Sequence, residues 1–507
     1  MTDVAAPMRP SFIDYARRAP GTCLAVVLVL HVVIWTALPA LLSHNLQLDL
    51  VEDLALGREW QLGYWKHPPL PWWLADVAYR LTGDVHAVYI LGPLSAAACM
   101  YVVWLLGRDI VGGFQALIAV LALEGIHFFN FSVPKFAHDQ MQLPFWAMTG
   151  LFLYRAIVQG RARDWLLAGA SLALCFWSKY AAFALAGSIG LFMLFDARGR
   201  AALRTPGPWL MALAFFVVIA PNLNWLIETG FMPMRYVDAR AKIATQWHHV
   251  FTYPLQWTAG QLFFIAPAIG LMALALIGAR PHPAIPDETM AFARRYLAML
   301  ALGPFLVTTT VALIAGRLPV AMWGYPLWSF APLAAIAWFG PVTGNAQARR
   351  FAAGFFIVFL AIPLAYAAVE ALEPAWRDRP KATQFPGRQL ADEVTRAWRA
   401  KFATPLPFVG GGEFSTNNIA VYSPDKPRVI VHADPTLSPW VDRDELRRRG
   451  AVIVWEDGQL DAAAMAQLRR DYPGLKVQEP LSLPRQTFVG ANLRPARVHF
   501  AIVPPRP

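Results

Sequence analysis

Long apolar stretches separated by short polar ones dominate the chain up to residue 371. Mostly apolar runs, with lengths near the roughly 17 to 25 residues that cross a bilayer as a helix, lie near residues 22–42, 86–107, 114–132, 140–158, 165–178, 180–196, 207–227, 254–279, 296–316, 321–340 and 351–371. The pattern predicts a polytopic all-α membrane domain over residues 1–371, with about eleven transmembrane helices. The first run is too long for the core of a signal peptide, so we expect it to stay as a helix.

The pattern changes after residue 371. Charged segments with helical spacing, near 387–401, 442–449 and 461–472, alternate with the strand-like runs "PRVIVHAD", "GAVIVWED" and "RVHFAIV". This alternation is typical of a small α/β domain, which we predict over residues 372–507. The segment "EPAWRDRPKATQFPG", rich in proline and charge, reads as its linker to the membrane part.

Composition and charge agree with a membrane protein. Of 507 residues, 57% are hydrophobic and 15% are charged, too few charges for a soluble protein with that apolar content. The net charge of +11 comes largely from arginines in alternate loops. If those loops are cytoplasmic, as the positive-inside rule requires, segments 43–85, 227–253 and 372–507 lie outside. No basic stripe interleaved with aromatic residues is found, which argues against a nucleic-acid partner.

The first external loop, residues 43–85, contains a group of acidic residues. Asp49, Glu52 and Asp53 have the spacing i, i+3, i+4, so on a helix they share one face. Carboxylates that close raise one another's pKa unless a cation or a substrate compensates them. The group is either a solvated acidic face at the membrane surface or part of a functional site.

The same loop continues with the motif "GYWKHPPLPWW", which contains Tyr64, Lys66 and His67. Prolines fix the backbone, and tryptophans favour the membrane interface. One interpretation is therefore an interfacial elbow with aromatic anchors. The other is a rigid support that holds Lys66 and His67 towards a phosphate or a sugar, with Tyr64 and the more distant His138 as further candidates for substrate binding.

Further candidates lie on the same predicted side of the membrane. Asp139, next to His138, precedes an apolar run and is either the N-cap of that helix or a second site carboxylate. Lys179 either snorkels to the interface or meets an anionic head group. Arg235 and Arg240, in the loop "MPMRYVDARAKIATQWHH", are either solvated charges or cations for an anionic substrate.

These residue types together suit sugar transfer from a lipid-linked phosphate. Phosphate is a good leaving group that needs cations to stabilise its charge, and an acceptor hydroxyl needs a positioned carboxylate as base. A glycosidase would need a second carboxyl group as proton donor or nucleophile.

The motif "GYWKHPPL" resembles the "GYYDHPPL" motif of the GT-C glycosyltransferases, in the bacterial branch related to protein O-mannosyltransferases (glycosyltransferase family 39) and to the lipid A aminoarabinose transferase. Counting back from Gly63 aligns Asp49 with the catalytic aspartate of the family. The glutamate that usually follows is replaced by Leu50, with Glu52 and Asp53 further on, so that Glu52 and Asp53 are also candidates for the catalytic base. "HDQMQLPFW" and "LLAGASLALCFWSKYAAFAL" also resemble family segments, and the first of these aligns Asp139 with the second acid.

The resemblance implies an inverting transferase that uses a polyprenyl-phosphate sugar donor at the periplasmic face of a bacterial inner membrane. The acceptor would be a hydroxyl or phosphate of lipid A, another glycolipid, a polysaccharide or a protein. Asp49 would be the base and Asp139 would help to organise the site, while Lys66, His67 and Lys179 would meet the donor phosphate. Some relatives use a divalent metal ion and others do not; this sequence contains no tightly spaced metal-ligand motif, so a divalent metal ion stays open as a cofactor.

Two other functions compete with this interpretation. A transporter or flippase of lipid-linked sugars would place polar residues near the bilayer midplane, whereas the predicted spans contain almost no charge. Alternatively, the C-terminal domain binds a partner or polysaccharide and the membrane part anchors it, but the elaborate first loop argues against a simple anchor.

Overall fold

A computed structural model describes residues 11–240, 242–278, 287–490 and 493–506, without the side chains of residues 237–240. The first part of the chain is helical, with two short strands that pair antiparallel. Its helices are α1 (Phe12–Arg18), α2 (Pro20–Leu42), α3 (Leu48–Gly57), α4 (Leu70–Thr82), α5 (Leu91–Val111), α6 (Gly113–Leu121), α7 (His138–Gln159), α8 (Ala162–Ser178), α9 (Phe183–Phe195), α10 (Ala197–Leu203), α11 (Gly207–Glu228), α12 (Met232–Arg240), α13 (His249–Leu276), α14 (Glu288–Ile314), α15 (Ala331–Phe339) and α16 (Asn345–Leu372). The strands are β1 (Lys242–Ile243) and β2 (Arg317–Leu318).

Six helical segments among the described residues are long and apolar enough to cross a membrane. They are Pro20–Leu42, Val85–Val111, Gly207–Glu228, His249–Leu276, Glu288–Ile314 and Asn345–Ala375. A seventh is obtained if Tyr180–Phe195 and Ala197–Leu203, which are bent by 94° at their junction, count as one span. Helices α6, α7, α8 and α15 occupy the remaining predicted spans but are shorter or more polar, so the number eleven stays a prediction.

A buried polar pair lies inside the helical part. His31, near the middle of α2, and Glu124, in the turn after α6, have Nδ1 and Oε1 2.8 Å apart and almost no exposed surface. Glu124 is thus an exception to the prediction that the spans contain almost no charge. The sequence pattern hid the pair because its two residues lie in different apolar runs.

The C-terminal part folds into helices around a six-stranded mixed sheet. Its elements are α17 (Gly387–Arg399), β3 (Phe408–Gly411), α18 (Glu413–Tyr422), β4 (Arg428–Val431), α19 (Arg443–Arg449), β5 (Ala451–Glu456), α20 (Ala462–Asp471), β6 (Lys476–Val477), β7 (Leu481–Leu483) and β8 (Ala496–Val503). The strand order is β4-β3-β5-β8-β6, with β7 beside β8; β3 is parallel to β4 and β5, and β8 is antiparallel to β5. The three strand-like runs of the sequence correspond to β4, β5 and β8.

The first loop and the C-terminal sheet share one hydrophobic core. Leu50 of α3 and Trp72 of α4 belong to the same buried cluster as Phe408 of β3. At the edge of this cluster, Arg428 of β4 donates hydrogen bonds to the carboxylate of Glu59, with an Nη2–Oε2 distance of 2.6 Å. The loop is therefore held rigidly between the membrane helices and the sheet, while the predicted domain boundary at residue 371 stays a prediction.

Candidate active site

The three acidic residues of the first loop lie on α3, as their spacing predicts, but they are not equally accessible. Asp49 is half-buried, whereas Glu52 and Asp53 are 3% and 1% exposed. Burial raises the pKa of all three carboxyl groups above the usual range, and the cation of Lys66 opposes this effect on each of them. A solvated acidic face is thus wrong for Glu52 and Asp53, and Asp49 is the member of this group that a substrate can reach.

Lys66 is buried between two carboxylates. Its Nζ lies 2.5 Å from Oε2 of Glu52 and 2.6 Å from Oε1 of Glu413. Burial lowers the pKa of Lys66, but the two carboxylates outweigh this effect and raise it above its usual value. For Glu413, burial raises the pKa, but the Lys66 cation more than compensates and leaves it below the usual range. The C-terminal part of the chain therefore contributes an ionised carboxylate to the centre formed by the first loop.

A second buried ion pair lies at the start of α7. Asp139 accepts a hydrogen bond from Lys179, with Oδ1 and Nζ 2.5 Å apart, and both side chains are largely buried. Ala137 is the N-cap residue of α7, so the N-cap interpretation of Asp139 is wrong. Lys179 is also not a snorkelling lysine, because its ammonium is directed to a buried carboxylate. The two residues form a fixed charge pair that was not predicted from their separation in sequence.

Histidines line the space between the first loop and α7. The ring centroids of His67 and His138 are 4.2 Å apart, and His67 also contacts the ring of Tyr236 on α12 at 5.4 Å. Nε2 of His138 is buried and lacks a hydrogen-bond partner within the described structure. The structure therefore brings His67 and His138 together, and their role in substrate binding stays a prediction.

Tyr64 occupies a different position. It is fully buried; its hydroxyl donates to the carbonyl oxygen of Leu56 at 3.0 Å, and its ring packs edge-on against Trp72. These contacts favour a structural role for Tyr64 over the predicted contact with substrate. Arg235 is exposed on α12. The side chain of Arg240 lies outside the described part of the structure.

The charges around Asp49 act together. Lys66 and Lys179 lower the pKa of Asp49, Asp139 and Glu413 raise it, and burial is the largest effect and raises it further. A carboxylate with a raised pKa is a stronger base than an exposed one, and the lysines offer positive charge beside it. Among the described residues, no three histidine, cysteine or acidic side chains are arranged to hold a metal ion. This arrangement places a carboxyl group within the influence of two cations.

Sequence reasoning missed two residues that build this site. Glu413 follows the run "VGGG" after a strand, which is a signal for a tight strand-to-helix turn, but nothing local indicates that it meets Lys66. Asn222 lies in α11, where its Nδ2 donates to the carbonyl oxygen of Leu62 at 2.7 Å and fixes the loop just before its "GYW" motif. Both contacts join segments far apart in sequence, so no local pattern predicts them.

Comparisons with known proteins identify the fold. Residues 66–225 match the family model described as dolichyl-phosphate-mannose-protein mannosyltransferase. No curated protein sequence matches significantly. The structure is similar to that of ArnT from Cupriavidus metallidurans bound to undecaprenyl phosphate, with a TM-score of 0.61 and 14% identity over 94% of this chain and 98% of that chain. The chain has a GT-C glycosyltransferase fold.

The GT-C resemblance expected from the "GYWKHPPL" motif is thus confirmed, and the chain is a multi-pass membrane protein. The family match includes Lys66, Asp139 and Lys179 but begins after the acidic residues of α3. A more distant similarity is found to the archaeal oligosaccharyltransferase AglB from Archaeoglobus fulgidus, in complex with an inhibitory peptide and a dolichol-phosphate. Its TM-score is 0.47, with 11% identity over 86% of this chain and 70% of that chain.

Proposed function

We propose that this protein is a membrane glycosyltransferase that moves a sugar, with inversion, from a polyprenyl-phosphate donor to an acceptor of the cell envelope. The observation that carries the proposal is the position of Asp49, a reachable carboxylate among Lys66, Lys179, Asp139 and Glu413. The GT-C fold supports the reaction class, and a similar structure holds undecaprenyl phosphate. The acceptor group is a hydroxyl or phosphate of lipid A, another glycolipid, a polysaccharide or a protein.

Asp49 acts as the base when the acceptor is a hydroxyl. The acceptor oxygen forms a bond to the anomeric carbon while the bond from that carbon to the phosphate oxygen breaks. The hydroxyl proton passes to the carboxylate of Asp49, and polyprenyl phosphate leaves with the electron pair. Burial raises the pKa of Asp49, which strengthens it as a base. Glu52 and Asp53 are too buried for this role and instead set the charge around Asp49.

The lysines stabilise the leaving phosphate. Lys179 and Lys66 are held in place by Asp139, Glu52 and Glu413, so their charges are positioned before the donor binds. Preorganised charge of this kind stabilises a transition state without reorganisation during the reaction. His67 lies next to this group, and Arg235 on α12 offers a further cation from the exposed side.

The orientation of the site follows from the distribution of arginines. With the predicted spans, arginine-rich loops would lie at the ends of the helices opposite the first loop, and such loops face the cytoplasm in most membrane proteins. The acidic loop and the C-terminal α/β part would then lie in the periplasm of a bacterial inner membrane. A polyprenyl donor would reach Asp49 laterally, from the outer leaflet.

A transporter of lipid-linked sugars is the second candidate. The buried pair of His31 and Glu124 is the observation that favours it, because ionisable residues inside a span often belong to a transport path. This pair is a single contact between two residues, however, whereas the charges around Asp49 form a larger group at the helix ends. Transfer chemistry therefore explains more of the charged residues.

The test compares the envelope glycolipids and glycans of cells that lack the protein with those of cells that regain it. Mass spectrometry should reveal a species that loses one sugar without the protein. When the Asp49→Asn variant is returned to these cells, the amount of the complete, sugar-bearing species that it restores should be about 10²- to 10⁴-fold lower than with the wild type, the usual contribution of a general base. Asp392→Asn, at an exposed position of α17, is the matched control and should restore it fully. Full restoration by Asp49→Asn would overturn the assignment of the base, and transport of donor in proteoliposomes without any modified acceptor would favour the second candidate.

A further inference from the structure

An apolar cavity of about 290 Å³ lies between α1, α2, α6 and α16. Among the described residues that line it none is charged, and six are phenylalanines: Phe12, Phe114, Phe351, Phe355, Phe356 and Phe359. Apolar cavities of about 150 Å³ already stay free of water and bind benzene. The chemistry of the walls therefore indicates a hydrocarbon as the ligand.

The cavity lies at the opposite end of α2 from the candidate active site. It contacts α2 from Thr22 to Leu30, in the first half of this helix of 23 residues. Asp49 follows the other end of α2, which is about 35 Å away at a rise of about 1.5 Å per residue. The reaction proposed at Asp49 therefore does not explain the cavity.

The depth of the cavity matches one leaflet of a bilayer. The lining residues of α16 run from Ala348 to Phe359, which corresponds to about 16 Å of helix. The hydrocarbon core of a bilayer is about 30 Å thick, so one leaflet contributes about 15 Å. Val26, Leu30 and Phe356 line the cavity and are also exposed, so it is open on the side that faces lipid. One acyl chain of a lipid has the length and the access that this cavity requires.

Helix α1 closes the surface end of the cavity. It contacts α2, α6 and α16. Ile13 and Ala16 are buried and line the cavity, whereas Phe12 and Tyr15 are exposed, as aromatic side chains at a membrane interface usually are. An acyl chain in the cavity would thus lie beneath α1, with its head group beside this helix.

The last turn of α1 offers positive charge at that position. Cζ of Arg17 lies 4.4 Å from the centre of the Phe114 ring, and Nη2 of Arg17 donates to the carbonyl oxygen of Thr343 at 2.9 Å. These contacts hold the guanidinium at the surface end of the cavity and use only part of its hydrogen-bonding capacity. Arg18 is exposed next to it, while the carboxylate of Asp14 is engaged in the capping box of α1.

We propose that the cavity is a specific site for an anionic phospholipid, with one acyl chain among α1, α2, α6 and α16 and the phosphate of the head group at Arg17 and Arg18. Cations at a membrane surface favour anionic over zwitterionic lipids. The bound lipid fastens α1 to the three helices that it contacts. This inference does not depend on the proposed sugar transfer, and in the orientation proposed above the lipid belongs to the cytoplasmic leaflet.

The experiment places the purified full-length chain in phosphatidylcholine nanodiscs that contain a small fraction of phosphatidylglycerol with a photoreactive diazirine in its acyl chain. After illumination, mass spectrometry of peptides locates the crosslinks. They should concentrate in α1, in the first half of α2 and in the part of α16 that lines the cavity, and they should be fewer at Phe216 and Val217, on the exposed side of α11. Unlabelled phosphatidylglycerol should compete, whereas the same amount of phosphatidylethanolamine or undecaprenyl phosphate should not.

Two variants test the two parts of the site separately. Ala352→Phe fills the cavity and should remove most of its crosslinks, whereas Ala361→Phe, at an exposed position of the same helix, is the matched control. Arg17→Gln should lower the cavity crosslinks about fivefold, the effect of one cation near an anionic head group. Arg163→Gln, at an exposed position of α8, is its control. Thermal unfolding checks that each variant is folded, and Arg17→Gln still tests the site if Ala352→Phe is not.

Three results would overturn the proposal. The first is an absence of crosslinks in the cavity above the level on α11, as expected if a second copy of the chain covers it. The second is equal competition by phosphatidylethanolamine or undecaprenyl phosphate, which would mean that the cavity does not select an anionic phospholipid. The third is crosslinking at the wild-type level in Arg17→Gln or in a folded Ala352→Phe variant.

Discussion

Lys66 and Glu413 form a hydrogen-bonded ion pair of 2.6 Å across 347 residues of sequence. Lys66 belongs to the first loop and Glu413 begins α18 in the C-terminal part, so this contact joins the two halves of the candidate site. Glu52 binds the same ammonium from α3. One lysine therefore neutralises two carboxylates that would otherwise repel each other in a largely buried position.

This arrangement predicts that the lysine matters more for stability than either of its partners. Lys66→Met should lower the free energy of unfolding by about 3 kcal/mol or more, because it leaves two carboxylates without their buried cation. Glu413→Gln should cost less, since Glu52 still neutralises Lys66. Thermal unfolding of the purified protein, followed by tryptophan fluorescence, measures both. Lys401→Met, at an exposed position, is the control; a larger loss in Glu413→Gln than in Lys66→Met would contradict the prediction.

Local patterns in the sequence predicted many residues of the site but not which of them form ion pairs with one another. The spacing of Asp49, Glu52 and Asp53 predicted a shared helical face because helical periodicity is a local property. Asp139 and Lys179 were each identified, yet their contact depends on how α7 and α8 pack. Glu413 was missed for the same reason, since a contact across 347 residues leaves no periodic signal.

The number of spans illustrates another limit of the sequence. An apolar run of about 17 residues is compatible with a short transmembrane helix and with a helix buried among others. Helix α8, with 17 residues, and α15, with nine, lie in predicted spans but are shorter than the six helical segments that qualify by length and composition. Apolar composition therefore predicted where helices lie more reliably than which of them cross the bilayer.

Gly63 is predicted to be essential for the position of the first loop. A Cβ atom at this residue would lie 2.2 Å from the ring of Trp225 on α11. Gly63→Ala should therefore destabilise the protein by about 1–3 kcal/mol, the usual cost of overpacking, and should reduce sugar transfer because Lys66 moves with the loop. Thermal unfolding and the envelope assay measure these effects.

The matched control for this variant is Gly260→Ala, because nothing lies within 4 Å of the Cβ position at that helical glycine. A double variant that combines Gly63→Ala with Trp225→Leu removes the indole ring that the new Cβ atom would touch, so it should regain part of the lost stability. If the single Gly63→Ala variant is as stable as Gly260→Ala, the close packing of the loop on α11 is wrong.

The pair of His31 and Glu124 predicts an asymmetry between two single variants. His31→Leu leaves the Glu124 carboxyl alone among apolar helices, and breaking a buried pair in this way typically costs about 3–5 kcal/mol. Glu124→Gln keeps a hydrogen-bonding partner for His31 and should cost only about 1 kcal/mol. Thermal unfolding in nanodiscs shows which of the two variants loses more stability. Val33→Leu, on the exposed side of α2, is the control, and equal losses in the two pair variants would argue against the contact.

The pH dependence of sugar transfer tests the role of Asp49 most directly. A base must be deprotonated, so the rate of transfer should increase with pH as Asp49 loses its proton. This increase is the acidic limb of the pH profile, and because burial raises the pKa of Asp49, the limb should lie at higher pH than for an exposed aspartate. The Glu413 charge raises this pKa and the Lys66 charge lowers it. Glu413→Gln should therefore move the acidic limb of kcat/KM to lower pH, and Lys66→Gln should move it to higher pH.

These opposite shifts separate an electrostatic effect on Asp49 from general damage to the site, which would lower the rate without moving the limb. Glu393→Gln, which changes a surface carboxylate of α17, should leave the profile unchanged. If Glu413→Gln and Lys66→Gln moved the acidic limb in the same direction, the group that titrates there would not lie between Glu413 and Lys66, and it would not be Asp49. Asp139 would then be the next candidate for the base. Because Asp139 pairs with Lys179, Lys179→Gln would then be the variant that moves the acidic limb.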